Sequence, residues 1–121
     1  MVRGIRGAIT VRSNNAEAIR EASRRLLSTI VNHNRIELEQ IISVIFSATT
    51  DIDAETPAYG ARLMGWTSIP LFCTQEMAVP NTLSRCIRVL VHVNAEKTQD
   101  EIQHVYLDGA IVLRPDIVEG G

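Results

Sequence analysis

A chain of 121 residues is the size of one domain, and 45% hydrophobic with 21% charged residues is ordinary for a globular protein and wrong for a disordered one. The formal net charge of −2 gives no bulk basic field to draw the protein onto nucleic acid or anionic lipid. No apolar run approaches the ~20 residues of a membrane span, so no membrane partner is expected. Met1-Val2-Arg3-Gly4-Ile5-Arg6 lacks an apolar h-region, and two cysteines, Cys73 and Cys86, fit free thiols in a cytoplasmic protein better than a disulfide scaffold.

The first predicted element is a strand from Val2 to Val11. Arg3, Ile5, Gly7, Ile9 and Val11, mostly aliphatic, alternate with Val2, Gly4, Arg6, Ala8 and Thr10 and should face the core. The second set is small apart from Val2 and Arg6, so Arg6 stands above a shallow floor, either lining a pocket or as a solvated edge arginine. Asn14-x-x-Glu17 reads as a cap followed by an acid in the first turn. Ile19, Ala22, Leu26, Leu27 and Ile30 continue at helical spacing to about His33-Asn34, with Arg20, Arg24 and Arg25 as a solvated face.

An acidic turn from Glu37 to Gln40 leads into Ile41-Ile42-Ser43-Val44-Ile45-Phe46, a β-branched run expected to be a strand buried on both faces. Ser47 to Asp51 ends it. Thr56 as N-cap and Pro57 at the first helical position predict a short second helix, stopped by Gly65. Trp66 to Phe72 is a brief extended piece that Pro70 confines to a sheet edge or a bend. Cys73 to Met77 reads as a loop and Pro80-Asn81 as a turn. Cys86 to Val93 is the strongest strand signal, with Ile87, Val89, Val91 and Val93 on one face and Cys86, Arg88, Leu90 and His92 on the other. Thr98-x-x-Glu101 is a capping box. Val105 to Leu113, broken by Asp108-Gly109, reads as a tight hairpin, and residues 116–121 as a mobile tail.

The order β-α-β-α-β-β-β with short connections predicts an α+β domain over residues 1–121, with a single mixed sheet and helices on one face. One long helix leaves part of so aliphatic a sheet uncovered, which predicts an oligomer.

Most standard catalytic signatures are missing: the chain has no P-loop, no G-x-G-x-x-G and no G-x-S-x-G. His33, His92 and His104 have no metal-ligand spacing, and no metal is expected. Gly4-Ile5-Arg6-Gly7 matches the G-x-x-G of nucleic-acid-binding loops but lies in a strand. What remains is Arg6, Arg88 and Arg114 in or beside aliphatic segments, with Tyr106 and with Glu76 in a polar loop. Arginine grips carboxylates through a planar fork, so the set suits a small polyanionic ligand held between subunits.

Arg3-Gly4-Ile5-Arg6-Gly7-Ala8, Ser47-Ala48-Thr49-x-Asp51, Cys73-x-Gln75-Glu76-Met77, Cys86-Ile87-Arg88-Val89, and His104-Val105-Tyr106-Leu107 with Val112-Leu113-Arg114-Pro115-Asp116 resemble the monofunctional AroH-class chorismate mutases, in order and from Arg3 to Asp116. The resemblance implies a homotrimer forming a pseudo α/β-barrel, with active sites at subunit clefts. It implies the rearrangement of chorismate to prephenate, in phenylalanine and tyrosine biosynthesis, with no cofactor. Arg88, Glu76 and Arg6 match the catalytic positions; Arg62, Cys73, Thr74, Tyr106 and Arg114 join them in binding substrate. Thr56 and Tyr59 depart from the family, standing where a phenylalanine and a lysine can occur at the pocket mouth. Two other readings keep the arginines: a non-catalytic trimer that binds a carboxylate metabolite, and a trimeric imine deaminase.

Overall fold

The computed structural model describes residues 1–113; Arg114 and the tail from Pro115 lie outside them. Strand β1 (Val2–Thr10) is followed by helix α1 (Ala16–Asn34), β2 (Ile41–Ala48), α2 (Pro57–Leu63), β3 (Leu71–Gln75), β4 (Cys86–Asn94) and β5 (Val105–Leu107). The five strands form one mixed sheet in the order β3-β2-β4-β1-β5. β4 runs antiparallel to both β1 and β2, while the outer strands β5 and β3 are parallel to β1 and β2. Among the described residues no helix is long and apolar enough to cross a membrane.

Period-2 patterning explains the covered face of this sheet. Ile5, Ile9, Val44, Phe46, Ile87, Val91 and Val93 point to one side and are buried against Ile19, Leu26, Leu27 and Ile30 of α1. Gly7 sets the helix-to-sheet distance, because a Cβ there would fall 2.8 Å from Ile30 Cδ1 and 3.1 Å from Leu26 Cδ1. The N-cap of α1 is Asn15, one residue later than expected: its side chain accepts from Ala18 N at 2.8 Å. Asn14 instead receives the backbone N–H groups of Asp53 and Ala54, each at 3.1 Å, and so ties the approach to α2 onto α1.

Three further expectations are corrected. β2 is buried on one face only; Ile42 and Ile45 are 43% and 37% exposed, and Phe72 on β3 is 66% exposed, because both helices pack on the same side. Cys73, Thr74 and Gln75, read as a loop, are the second half of β3, where parallel pairing to Phe46, Ser47 and Ala48 overrides their weak strand signal. The expected hairpin at Asp108-Gly109 is absent. Asp108 takes a left-handed φ of 53° and the chain turns into 3-10 helix over Asp108–Leu113. The turn is anchored sideways: Arg25 pairs with Asp108 at 2.9 Å, and Gly109 N donates to Thr10 Oγ1 at 2.9 Å. The capping box at Thr98 forms as expected, whereas Thr56 occupies its cap position without a side-chain cap bond.

Candidate active site

Strand register builds the site. On the open face of the sheet Thr74 of β3 lies beside Ser47 of β2, Ser47 beside Arg88 of β4, Arg88 beside Ala8 of β1, and Ala8 beside Tyr106 of β5. These five positions form one row across all five strands, and directly paired residues share a face. Arg6 stands one rung away on the same face, in a row with Leu90 and Ile45. Three residues separated widely in sequence, Arg6, Arg88 and Tyr106, thus share one surface.

Glu76 follows β3, its N–H still donating to Ala48 O at 2.8 Å, and its carboxylate turns over this row. Glu76 Oε1 lies 3.1 Å from Arg88 Nε, but off the line of the N–H, so the contact is an ion pair rather than an aligned hydrogen bond. The other oxygen, Oε2, accepts a short hydrogen bond from Ser47 Oγ. Ser47 was not among the predicted site residues. The available signal was its position in the β2 run, two residues after Ile45 on the open face. A cavity of about 430 Å³ lies here, lined among others by Ser47, Thr74, Glu76, Thr82, Leu83 and Arg88. Tyr106 is half-buried against Ala8, Cys86 and Ala110, and Arg6 is exposed, its backbone N–H donating to His104 Nδ1 at 2.9 Å.

The remaining predicted residues gather elsewhere. Cys73 pairs with Phe46 and therefore faces the helices, opposite Thr74 and Arg88. Its thiol is met by the Ala58 backbone N–H in the first turn of α2 and feels Arg62 one turn further on. Burial outweighs both and pushes the Cys73 thiol above its ordinary range, so at neutral pH it is a protonated hydrogen-bond donor, not a thiolate nucleophile. Burial likewise raises the Cys86 thiol to about 11, beneath the open face. Between β3 and the start of α2 lies a second cavity of about 580 Å³, lined among others by Asp53, Glu55, Thr56, Cys73 and Thr74.

One chain therefore divides the expected site residues into two groups: Arg6, Glu76, Arg88 and Tyr106 on the open face, and Arg62 with Cys73 on the other, with Thr74 lining both cavities. Arg114 lies outside the described residues. Among the described residues no group of three or more His, Cys, Asp or Glu side chains could hold a metal ion.

The family model for chorismate mutase type I matches residues 2–117. The chain is 43% identical over 118 residues to Chorismate mutase AroH of Bacillus subtilis (strain 168), covering 97% of this chain and 93% of that protein. It is 46% identical over 118 residues to Chorismate mutase AroH of Thermus thermophilus, covering 97% of each. A solved chorismate mutase from Clostridium thermocellum superposes with a TM-score of 0.89 at 49% identity, over 90% of this chain and 97% of that one.

Proposed function

Because this chain belongs to the chorismate mutase type I family, its reaction is the conversion of chorismate to prephenate, and we propose that the Arg88 row on the open sheet face carries the rate. The reaction is an intramolecular [3,3] rearrangement in which one C–O bond breaks as one C–C bond forms. It needs no nucleophile, proton transfer or redox partner. Protein groups can help by holding the enolpyruvyl arm over the ring and by placing positive charge where the ether oxygen becomes negative.

Arg88 takes the second task, reaching the ether oxygen and a carboxylate with its fork. The observation that carries this reading is the Ser47–Glu76–Arg88 chain, in which Glu76 holds the Nε edge of the guanidinium and Ser47 holds Glu76. Glu76 also accepts a hydrogen bond from the ring hydroxyl. Arg6, with Tyr106, grips the side-chain carboxylate, and Arg62 and Arg114 add positive charge around the substrate. Cys73 donates a hydrogen bond at the ring end beside Thr74. No cofactor or metal takes part.

The two groups are half-sites that lie on opposite faces of one sheet and adjoin only at its β3 edge, where Thr74 and Gln75 line both cavities. One chain by itself therefore leaves a substrate open on one side. A homotrimer with sites at its clefts resolves this: one subunit's open face meets the α2–β3 cavity of its neighbour. The uncovered Ile42, Ile45 and Phe72 support such an assembly, which buries them. The free thiols of Cys73 and Cys86 fit the cytoplasm. The family match gives the imine deaminase and carboxylate-sensor readings no support.

Subunit mixing tests the division. Arg88→Ala and Arg62→Glu trimers, each weakened alone, regain activity after dissociation and reassembly together, because some mixed trimers hold one cleft with both halves intact. Loss of chorismate absorbance with prephenate formed is the readout. No recovery from verified mixed trimers means that each site takes both halves from the same subunit, and overturns the division.

A further inference from the structure

Two carboxylates stand on the wall of the α2–β3 cavity, Asp53 and Glu55. Chorismate is a dicarboxylate, and each uncompensated anion on that wall opposes its entry. Asp53 receives a neutral donor, Asn14 Nδ2 at 2.7 Å. Glu55 is paired with a full charge. Arg20 of α1 donates to Glu55 Oε2 from Nε at 3.1 Å and from Nη2 at 2.7 Å, while Thr56 N donates to Oε1 at 3.3 Å. Both side chains are partly buried, and the Arg20 guanidinium also lies over the Tyr59 ring, 4.9 Å from its centroid. Gly60 makes the arrangement possible. A Cβ there would fall 2.9 Å from Arg20 O and 2.9 Å from Ser23 Cβ, so only a bare backbone lets α2 approach α1 this closely. Arg20 therefore departs from the solvated role that its spacing on α1 suggests.

We propose that Arg20 is a positioning residue for substrate binding: by pairing with Glu55 it removes that carboxylate's repulsion from the α2–β3 cavity and keeps the acid turned against the start of α2. The Tyr59 ring keeps the guanidinium in that pairing. The inference rests on reading this cavity as part of the chorismate site, so its test carries Arg62→Ala as a separate check of that reading.

Steady-state rates on chorismate are measured at low salt and at about 0.5 M salt, where the screening length is a few ångströms. Arg20→Gln raises KM roughly fivefold while kcat stays within about twofold, and the rise shrinks in high salt. Adding Glu55→Gln to Arg20→Gln returns KM toward the parent value, a rescue that a purely structural role for Arg20 does not produce. Arg20→Lys keeps the charge without the fork, holds KM within about twofold, and replaces Arg20→Gln if that variant does not fold; a large KM rise in it counts against the proposal. An unmoved KM in Arg20→Gln, or a rise that Glu55→Gln leaves uncorrected, overturns the proposal. If Arg62→Ala raises KM while Arg20→Gln does not, only the role of Arg20 falls. If Arg62→Ala leaves KM unmoved, the cavity's assignment falls, and this inference with it.

Discussion

The two faces of β4 divide the labour of the molecule at a spacing of one residue. Ile87, Val89, Val91 and Val93 are buried under α1, where shape and apolar area decide what is tolerated. Arg88, between two of them, faces open space with Glu76 as its partner. Neighbours on one strand thus answer to different physics: the first set to packing, and Arg88, in the role proposed above, to the charge that develops on a substrate. The difference teaches that activity and stability should separate cleanly along this strand, because the pleat keeps the two faces apart.

The largest expected effect breaks the covered face. Ile87→Ala leaves a cavity in the aliphatic core and should cost roughly 2–5 kcal/mol in urea unfolding, while the folded fraction keeps a kcat close to the parent's. One position on, Arg88→Ala should do the reverse. Losing one preorganised charge donor costs about 2.7–4 kcal/mol, or roughly a hundred- to a thousandfold in kcat, with the thermal midpoint nearly unmoved. Arg88→Lys should recover only part of this, since an ammonium cannot reproduce the fork. An activity loss in Ile87→Ala as deep as that in Arg88→Ala, measured on folded protein, would show that the two faces are coupled.

Smaller effects sharpen the comparison. Ser47→Ala removes a hydrogen bond to a charged acceptor, worth about 1.5–3 kcal/mol, and should lower kcat roughly tenfold or more by letting Glu76 drift from Arg88. Equal kinetics in Ser47→Ala and the parent would show that Glu76 is held without it. Cys86 gives the smallest signal, in pH dependence. Its thiol lies at about 11 when folded against 9.0 ordinarily, so the folded state holds the proton more tightly. That stabilisation is fully present below pH 9 and is lost as pH rises toward 11. Cys86→Ala should therefore flatten the alkaline fall in unfolding free energy between these values; an unchanged slope assigns that fall to other groups.

Long regular patterns were legible in the sequence. Alternation placed Arg6 and Arg88 on the uncovered sides of β1 and β4, and 3.6-residue periodicity gave α1 almost to its ends. Among the short elements, α2 and the β5 segment were legible, but the second half of β3 was not, because it owes its strand geometry to pairing with β2 far back along the chain. The chain after β5 turned into 3-10 helix where a return strand was expected. Missing β3 hid that the expected site residues fall on two faces of the sheet. Cys73 and Glu76 differ by an odd number of residues, and once the chain through them is extended they must face opposite ways. Register hid Ser47 as well: nothing local says that it sits beside Arg88. Arg20 was obscured for a related reason, since its partners lie 35 and 39 residues away, on α2 and its approach.

The pairing of β1 with β5 also has a consequence in time. Gly7 meets Val105, so the last strand closes a loop that runs nearly the length of the chain, for a reward of only three paired positions. Such a closure is entropically slow and is won late, after α1 and the β1–β4 ladder have supplied a surface to dock on. Tyr106 rides on that strand. The protein can therefore finish its core before it finishes its site, and newly made chains should pass through a compact state that binds substrate poorly until β5 locks. Amide exchange should find the same order in reverse, with β5 opening to solvent well before β4.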